Sequence, residues 1–442
     1  MRKYILHGNE IFSDGRPWIM RGVSRPGLEY ASIDYSSFSS DSIHQEIRDM
    51  VSWGLNTLRL PIRDRFWFDE EPYRRLVDLY IETASSSGMV IVLDLHTQKD
   101  HALSSEDAMM LRPDALLFWK DVCTVYGGQE GVFFELFNEP YVSDPRVWWD
   151  GDTTYNGYGE ILRHLRSPDS PCQQTITILG GLDYGYQWSF MTREIMGEMI
   201  SLGGIVVSTH PYAYRGAPSY DNNCTSCSQP IPTVVQYPMG TFTGNCTIGY
   251  TLPQITKDVY DSGWDASFGF LQERFPVVAT EFGLDHYETS LQGGWYMNAI
   301  LTYFRSHRIG YVAWAWVRDR LDYPSLLSPD NTPTGKALSP NPGPPCGVKE
   351  NDFYAGPGMV VYHDLERMNG RDTPFLLRRK ETLFRPPRPH YTPPETKKMT
   401  RILLSCSSGL FLFYFCVWWS RRKRRYPNRP YRNRRRRDSC FF

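Results

Sequence analysis

The stretch Val132–Pro140, VFFELFNEP, decides how the fold of this chain is interpreted. A run of mostly apolar, β-favouring residues ends abruptly in Asn138, Glu139 and Pro140, so an amide and a carboxylic acid stand where a buried strand leaves its sheet. The segment Phe275–Gly283, FPVVATEFG, has the same form and carries Glu281 at its end. Two carboxyl groups at the C-terminal ends of separate strands are typical of a site for acid–base or nucleophilic chemistry.

Eight β-like runs, most of them separated by helix-like segments, predict an α/β fold. Continuous apolar runs indicate strands buried on both faces, and intervening helices indicate parallel crossovers. Eight such units fit a closed (β/α)8 TIM barrel, which takes roughly 250 residues or more. A doubly wound open sheet is the rival, but the sequence lacks the G-x-G-x-x-G turn that usually follows an early strand of that fold. The predicted strands are Trp18–Val23, Asn56–Leu60, Met89–Leu95, Val132–Phe137, Thr175–Leu179, Gly204–Thr209, Val277–Thr280 and Gly310–Trp316.

The helix after the first predicted strand has a clear sequence signal. We expect Asp41 to be its N-cap, because a short acidic side chain there precedes an apolar periodicity of three and four residues. The buried face should carry Ile43, Ile47, Met50 and Val51.

The charge of the chain is divided unequally along its length. The net charge is −1, but residues 421–442 carry 11 Lys or Arg and one Asp, which leaves a net charge of −11 on the first 420 residues. An acidic body argues against an enzyme domain that binds nucleic acid. The basic tail is typical of a membrane-proximal segment that contacts anionic lipid.

Three of the nine cysteines lie in the segment 212–263, which is predicted to be a loop insertion beside the active-site face. Cys224, Cys227 and Cys246 could form a disulfide or hold zinc. A disulfide is favoured, because no second pair of cysteines or histidines follows at the spacing of a metal site. Asn223 and Asn245 each begin an N-glycosylation pattern, so the loop favours an oxidising compartment. Cys123 and Cys172 have no base partner, which argues against a thiol nucleophile.

The composition changes near residue 339, where the barrel domain, residues 1–340, is predicted to end. Residues 341–400 are Pro-rich and predict a mostly irregular stalk in which Met359–His363 forms a short strand. Ile402–Trp419 contains no charged residue, so residues 401–420 predict a single transmembrane helix that precedes the basic tail, 421–442. The tail favours a cytoplasmic C-terminus and an extracellular or lumenal barrel, although Met1–Gly8 is not a signal peptide, which leaves the orientation open.

Six predicted strands carry a polar or aromatic side chain at their C-terminal ends, where barrel enzymes have their active sites. One such side chain is commonly structural, but a compatible set predicts a single site. Two further acids lie inside strands: Glu135 is expected in a structural ion pair, and Asp94 is expected to point inward. The strand-end residues are Arg59, His96, Asn138, Glu139, His210, Tyr212, Glu281, Trp314 and Trp316.

The order of these motifs resembles glycoside hydrolase family 5, the cellulase and mannanase family of the glutamate-glutamate barrel clan, over residues 5–338. The matching motifs are Leu58-Arg59, Leu95-His96, Phe137–Pro140, His210–Tyr212 and Glu281–Gly283. The resemblance implies that Glu139 is the general acid/base and Glu281 the nucleophile of a double displacement.

The resemblance also implies supporting roles for the remaining motif residues. Arg59 would keep Glu281 ionised, Tyr212 would fix its rotamer, and His210 would orient Glu139 or relay protons to it. Asn138 would bind the sugar 2-hydroxyl, and His96 would contact sugar hydroxyls or the Arg59 network. Trp316 would stack under the sugar on the nucleophile side of the bond, with Trp314 as the alternative because alternate residues share a strand face.

The implied activity is that of a retaining endo-β-glycosidase acting on β-1,4-glucan without a metal or an organic cofactor, with β-mannan and β-1,3-glucan as other substrates. The high aromatic content, 13 Trp and 28 Tyr, suits platforms for sugar rings, and Asp183, Tyr184 and Trp188 are candidates to line a subsite. Two alternatives stay open: a transglycosylase with the same residues, and a catalytically silent carbohydrate-binding surface protein.

Overall fold

The computed structural model describes residues 2–98 apart from 31, 32 and 34, and residues 109–212, 263–283 and 291–318. It also describes 232–237, 240–245, 325–337 apart from 329 and 335, 354–355, and 357–369. Most of the cysteine-containing loop, most of the predicted stalk, and the whole of the predicted anchor and basic tail lie outside these residues, so those predictions remain predictions.

Eight parallel strands close into the predicted barrel, and its last strand, β13, pairs with its first, β4. All eight predicted strands are confirmed with shifted ends. The first barrel strand begins at Arg21, because Trp18 ends a strand of a separate N-terminal sheet. That sheet is antiparallel and consists of β1 (Tyr4–His7), β2 (Glu10–Ser13) and β3 (Arg16–Trp18). The barrel strands are β4 (Arg21–Ser24), β5 (Thr57–Arg63), β6 (Val90–Thr97), β7 (Val132–Glu135), β8 (Thr177–Gly180), β9 (Ile205–Ser208), β12 (Val277–Phe282) and β13 (Gly310–Ala313).

Short strand pairs accompany the barrel. β10 (Pro232–Tyr237) and β11 (Gly240–Asn245) form an antiparallel pair within the predicted loop insertion, and β14 (Lys336–Ala337) pairs with β15 (Tyr354–Ala355). The helices include α1 (Ser40–Ser52), α2 (Asp64–Asp69), α3 (Glu71–Ser86), α4 (Asp114–Tyr126), α5 (Pro145–Asp150), α6 (Tyr158–Leu165), α7 (Arg193–Leu202), α8 (Leu291–His307) and α9 (Pro357–Met368), with 3-10 turns at Tyr35–Ser37 and Gly269–Glu273.

The barrel has two apolar cores because its strands are buried on both faces. The outer core lies between the strands and the helices. The inner core fills the barrel with residues such as Val92, Phe133 and Val312, and the N-terminal sheet adds Ile11 to it. The ring of Tyr4 packs edge-on against Phe133, with 5.6 Å between ring centroids. The N-terminal sheet therefore packs against the barrel interior and leaves the opposite, C-terminal face for chemistry.

The predicted N-cap of α1 is wrong by two residues. Ser39 is the cap: its hydroxyl accepts a hydrogen bond from the Ser42 backbone N–H, and the Ser42 hydroxyl accepts one from the Ser39 N–H, which makes a capping box. Asp41 lies in the first turn, where its charge suits the helix dipole. Ile43, Ile47 and Met50 are buried as expected, whereas Val51 is 41% exposed.

The predicted strand Met359–His363 is also wrong, because these residues lie in α9. This helix packs on the barrel: Asp364 accepts a hydrogen bond of 2.9 Å from the Tyr311 hydroxyl and forms an ion pair with Arg305 of α8. The ring of Tyr362 contacts Trp53 edge-on, with 5.2 Å between centroids. The packed part of the chain therefore continues through α9, beyond the predicted domain boundary at residue 340.

A disulfide joins Cys123 of α4 to Cys172, which precedes β8, with 5.8 Å between their Cα atoms. This pairing was not predicted from the sequence. The bond closes a covalent loop across 49 positions of sequence, and closing a loop of that length is expected to stabilise a fold by about 4 kcal/mol.

We therefore expect the double variant Cys123→Ser/Cys172→Ser to lower the free energy of unfolding by about 4 kcal/mol. Denaturant titration measures this loss. Peptide mapping of the non-reduced wild type should recover the fragments that contain Cys123 and Cys172 as one cross-linked species. Recovery of both as free thiols would contradict the assignment.

Across the described part of the chain, the helices are too short or too polar to cross a membrane.

Candidate active site

The C-terminal ends of the barrel strands bring the predicted polar residues to one place. Glu139 follows β7, and Glu281 lies in β12, three strands further round the barrel. One carboxylate oxygen of each and a ring nitrogen of His210 all lie within 4.8 Å of one another. Glu281 is almost buried, whereas the Glu139 side chain is 22% exposed. The two carboxyl groups therefore face each other in unlike surroundings.

Arg59 is the centre of the charge network beneath these glutamates. Its fully buried guanidinium contacts three carboxylates: Nε lies 2.7 Å from Glu135, Nη2 lies 2.9 Å from Asp94, and Nη1 lies 3.1 Å from Glu281. Burial opposes the positive charge, but these carboxylates raise the pKa of Arg59 above its usual value. The expected ion pair of Glu135 and the inward orientation of Asp94 are both present.

Glu281 is held on both carboxylate oxygens. The Tyr212 hydroxyl donates a 2.6 Å hydrogen bond to Oε1, and Arg59 donates one of 3.1 Å to Oε2. Burial raises the pKa of Glu281, while the positive charges of His210 and Arg59 favour its ionised form. This arrangement fixes the direction in which the carboxylate points before any ligand arrives.

His210 connects the two halves of the site. Its Nδ1 lies 3.2 Å from Oε1 of Glu139, and its Nε2 lies 3.0 Å from the Thr280 hydroxyl, which in turn donates to Glu135. Burial alone would lower the pKa of His210, but the carboxylates of Glu281, Glu135 and Glu139 raise it to about 9. A protonated imidazole with both nitrogens engaged suits a proton donor to Glu139 better than a metal ligand.

Asn138 and His96 line the site on the side of β6 and β7. Oδ1 of Asn138 accepts a 2.7 Å hydrogen bond from Arg59, and its Nδ2 lies 3.4 Å from Nε2 of His96. Nδ1 of His96 lies 2.7 Å from Asp94. Burial lowers the pKa of His96, but Asp94 outweighs this effect and raises it. Arg59 thus contacts Asn138 directly and reaches His96 through Asp94. His96 therefore belongs to the Arg59 network, as expected.

The two predicted tryptophans have different surroundings. Trp314 stacks on His96, with 5.7 Å between centroids and 5° between ring planes, and it clusters with Tyr212. A cis peptide bond joins Trp314 to Ala315. Trp316 instead contacts Trp53 edge-on at 4.9 Å and lines a neighbouring cavity. The structure therefore brings Trp314, which was the alternative, into contact with the other site residues.

Thr280 and Ser24 are site residues that sequence analysis missed. Thr280 links His210 to Glu135, and Ser24 at the end of β4 accepts a 3.2 Å hydrogen bond from Arg59. In both cases the sequence held a signal that could have identified the residue, namely a hydroxyl side chain at the end of an apolar strand. Trp188, a candidate for a subsite, is fully buried against Trp148 and so belongs to the core.

The stability of the fold should depend on the charge of His210. Its folded pKa of about 9 exceeds the ordinary value of 6.5, so its protonation favours the folded state fully below pH 6.5 and progressively less as pH rises through 9. The free energy of unfolding should fall by up to about 3 kcal/mol over this range. Urea titrations from pH 6 to 10 measure it.

The matched variant His210→Gln should show a flatter dependence on pH in that window. The charge of Glu135 should instead affect the stability of the fold at acidic pH. Burial opposes its ionisation, but Arg59 and His210 lower its pKa to about 2, so its contribution is lost only as pH falls from 4.5 through 2. An equal alkaline slope in the wild type and His210→Gln would show that His210 is not the group that titrates.

Comparisons with known proteins place this geometry in a family. The family model described as cellulase, glycosyl hydrolase family 5, matches residues 14–320. Endoglucanase A of Butyrivibrio fibrisolvens is 24% identical over 224 residues, which are 48% of this chain and 46% of that enzyme. The β-mannanase/endoglucanase A of Caldicellulosiruptor saccharolyticus is 22% identical over 68% of this chain and 19% of its own length. The chain thus spans less than half the length of either relative.

Solved structures show the same fold. A β-glucanase from Saccharophagus degradans superposes with a TM-score of 0.54 at 20% identity, covering 83% of this chain and 94% of that one. A β-mannanase from Streptomyces thermolilacinus gives a TM-score of 0.51 at 18% identity over 75% of this chain and 90% of that one. With a family model that matches most of its length, the chain belongs to glycosyl hydrolase family 5.

Proposed function

We propose that this protein is a retaining endo-β-glycosidase that cleaves β-1,4-glucan by double displacement. One observation carries the proposal: carboxylate oxygens of Glu139 and Glu281 lie within 4.8 Å of each other at the C-terminal face of the barrel. Retaining enzymes hold their two carboxyl groups about 5–5.5 Å apart, whereas inverting enzymes need about 6.5–9.5 Å to admit a water molecule.

In the first step, an oxygen of Glu281 bonds to the anomeric carbon while the glycosidic C–O bond breaks. The proton of Glu139 passes to the leaving oxygen, so that an alcohol departs and a glycosyl ester remains. In the second step, Glu139 takes a proton from water, and the water oxygen displaces Glu281 from the anomeric carbon. Both groups return to their starting protonation states.

The surrounding contacts suit these roles. Tyr212 and Arg59 hold both oxygens of Glu281 in one orientation. The attacking oxygen is therefore already positioned, and no side-chain entropy is lost when the substrate binds. His210 lies beside Glu139 and supplies a positive charge that stabilises its carboxylate after proton transfer. Asn138, fixed by Arg59, suits a hydrogen bond to a sugar hydroxyl. Trp314, backed by His96, suits a sugar platform.

The choice of β-1,4-glucan is supported by the names of the relatives, among which endoglucanases recur. β-Mannan is the nearest alternative, because one relative is both a mannanase and an endoglucanase. β-1,3-Glucan is a further alternative, since the linkage is set by the loops around a site rather than by the fold.

The test uses the full chain on carboxymethylcellulose, β-mannan, xylan and a β-1,3-glucan, with Glu281→Gln as the matched control. Reducing ends released by the wild type alone would establish a glycosidase and identify its substrate class. Proton NMR of the first product should show the β-anomer, and the α-anomer would overturn retention. Equal binding by both proteins without release would favour the silent carbohydrate-binding alternative, and accumulation of longer oligosaccharides would indicate a transglycosylase.

We also propose that residues 401–420 anchor the chain in a membrane with the barrel on the extracellular or lumenal side. The support is the uncharged run Ile402–Trp419, followed after Ser420 by five consecutive basic residues. The chain should resist alkaline extraction from membranes, and the variant Leu412→Arg should be extracted. Mass shifts on deglycosylation that disappear in Asn223→Gln or Asn245→Gln would place the barrel outside the cytoplasm. Extraction of the wild type would exclude the anchor.

A further inference from the structure

A tight turn after β8 has an unusual backbone. Gly181 bridges to Gly185 and Leu182 bridges to Gln187, so the chain reverses within a few residues. Asp183, Tyr184 and Gly185 all have positive φ angles, of 56°, 58° and 78°. Glycine adopts such angles freely, but a bulky aromatic residue seldom does. A backbone of this kind persists only where its neighbours determine it, and it is common at functional sites.

The neighbours of this turn are the acid/base residue and its histidine. The Tyr184 N–H donates a 3.1 Å hydrogen bond to the carbonyl of Pro140, the residue after Glu139. The His210 N–H donates one of 3.2 Å to the carbonyl of Gly185. A Cβ at position 185 would lie 3.0 Å from Cγ of His210. The turn is thus wedged between the segments that present Glu139 and His210.

The turn also presents an aromatic surface. The ring of Tyr184 stacks on that of Tyr141, with 4.8 Å between centroids and 24° between planes. Tyr141 is 42% exposed, although its backbone is fixed by reciprocal hydrogen bonds of 2.6 and 2.7 Å with Met109. A stacked pair of rings, one exposed and one partly buried, therefore begins two residues after the acid/base glutamate.

The strand order places this pair relative to the bond that is cleaved. Tyr141 and Tyr184 follow β7 and β8, which lie opposite β13 and β4 in the closed barrel. Trp314 follows β13, and a cavity of about 670 Å³ lined by Arg25 and Trp316 lies beside it. A sugar chain laid across the mouth from this cavity to the tyrosines would pass between the two glutamates. Because Glu139 follows β7, on the tyrosine side, the sugar over the tyrosines would carry the oxygen that Glu139 protonates.

We propose that Tyr141 and Tyr184 form the platform that holds the sugar on the leaving-group side of the bond. The same platform would hold an acceptor sugar when an alcohol replaces water in the second step, since the two steps are chemically the reverse of each other. This inference rests on the proposed glycosidase function and assigns the tyrosine pair a part in it. The flat, apolar face of a pyranose ring packs well against an aromatic pair, while its hydroxyl groups stay in water.

The test compares two substrates that share a donor but differ in what leaves. Cellopentaose places sugars on both sides of the bond that is cleaved. β-Cellotriosyl fluoride places sugars on one side only, and its leaving group, fluoride, does not reach the platform. If the wild type degrades mannan, the corresponding manno-oligosaccharides replace both substrates. In the full chain, Tyr141→Ala/Tyr184→Ala should lower kcat/KM for cellopentaose about 10-fold or more and change that for the fluoride little. The double variant Tyr141→Phe/Tyr184→Phe keeps the rings and should recover most activity on the pentasaccharide.

Transfer gives a second readout. With the fluoride as donor and added cellobiose as acceptor, the alanine variant should yield less transfer product relative to hydrolysis than the wild type does. Equal losses on both donors, or none on either, would overturn the platform while the wild-type activity upheld the glycosidase. A wild type that is inactive on every donor would overturn the proposed function itself and this inference with it. Thermal unfolding of each variant separates loss of the platform from loss of the fold.

Discussion

Replacing Glu281 with Gln should lower kcat on the preferred polysaccharide by about 10⁴- to 10⁶-fold, the scale of effect when a nucleophile is removed from a site that acts as a unit. The amide keeps the hydrogen-bonding shape of the side chain near Tyr212 and Arg59, but it cannot form the glycosyl ester. Initial rates of reducing-end release measure the loss, and the melting temperature reports on the fold.

The chain offers a matched control for this variant. Glu135→Gln also removes one carboxylate from the Arg59 guanidinium, at 2.7 Å, but from a residue inside strand β7. It should cost stability and a smaller part of the activity. If Glu135→Gln were as inactive as Glu281→Gln in a folded protein, the loss would reflect the Arg59 network, and Glu281 would lose its assignment as nucleophile.

Replacing Glu139 with Ala should lower kcat/KM on the polysaccharide by about 10²- to 10⁴-fold, because general-acid catalysis contributes on that scale. The loss should be far smaller on a dinitrophenyl glycoside, whose leaving group departs without a proton. Parallel rate measurements on the two substrates give the comparison. The variant should also lose the alkaline limb of its pH–rate profile that reports the acid.

Leaving-group dependence makes this prediction specific to Glu139. A variant that merely disturbed the site would slow both substrates alike, as would Arg59→Met, which strips the partner from three buried carboxylates. Equal losses on the polysaccharide and the activated glycoside in Glu139→Ala would therefore count against its role as the acid.

The barrel and the main site residues were predictable from local sequence for a physical reason. A strand buried on both faces must be apolar nearly throughout, so VFFELF and PVVAT are visible without any knowledge of their partners. Parallel strands then bring their C-terminal ends to one face, which is why Glu139, His210 and Glu281 could be placed together before any distance was known. Glu135 was expected in an ion pair, and the cost of burying a lone charge explains why it has one with Arg59.

The features that sequence analysis missed depend on contacts between distant segments. Val360 and Val361 favour a strand locally, but packing against Trp53 and the ion pair between Arg305 and Asp364 stabilise a helix. The pairing of Cys123 with Cys172 follows from barrel closure, which brings α4 next to the segment before β8. The choice between Trp314 and Trp316 likewise depends on where the chain leaves β13.

The packing of α9 on the barrel limits how far from the membrane the active site of the proposed anchored enzyme could reach. Because Asp364 and Tyr362 tie this helix to the barrel wall, the sequence between the packed part of the chain and the proposed anchor at 401–420 is residues 370–400, rather than the whole of the predicted stalk. Even if fully extended, a chain of those 31 residues would span at most roughly 110 Å. An anchored barrel would thus act only on polysaccharide that lies close to its own membrane. Its rate on insoluble or distant polysaccharide would depend on how fast that substrate reaches the membrane surface.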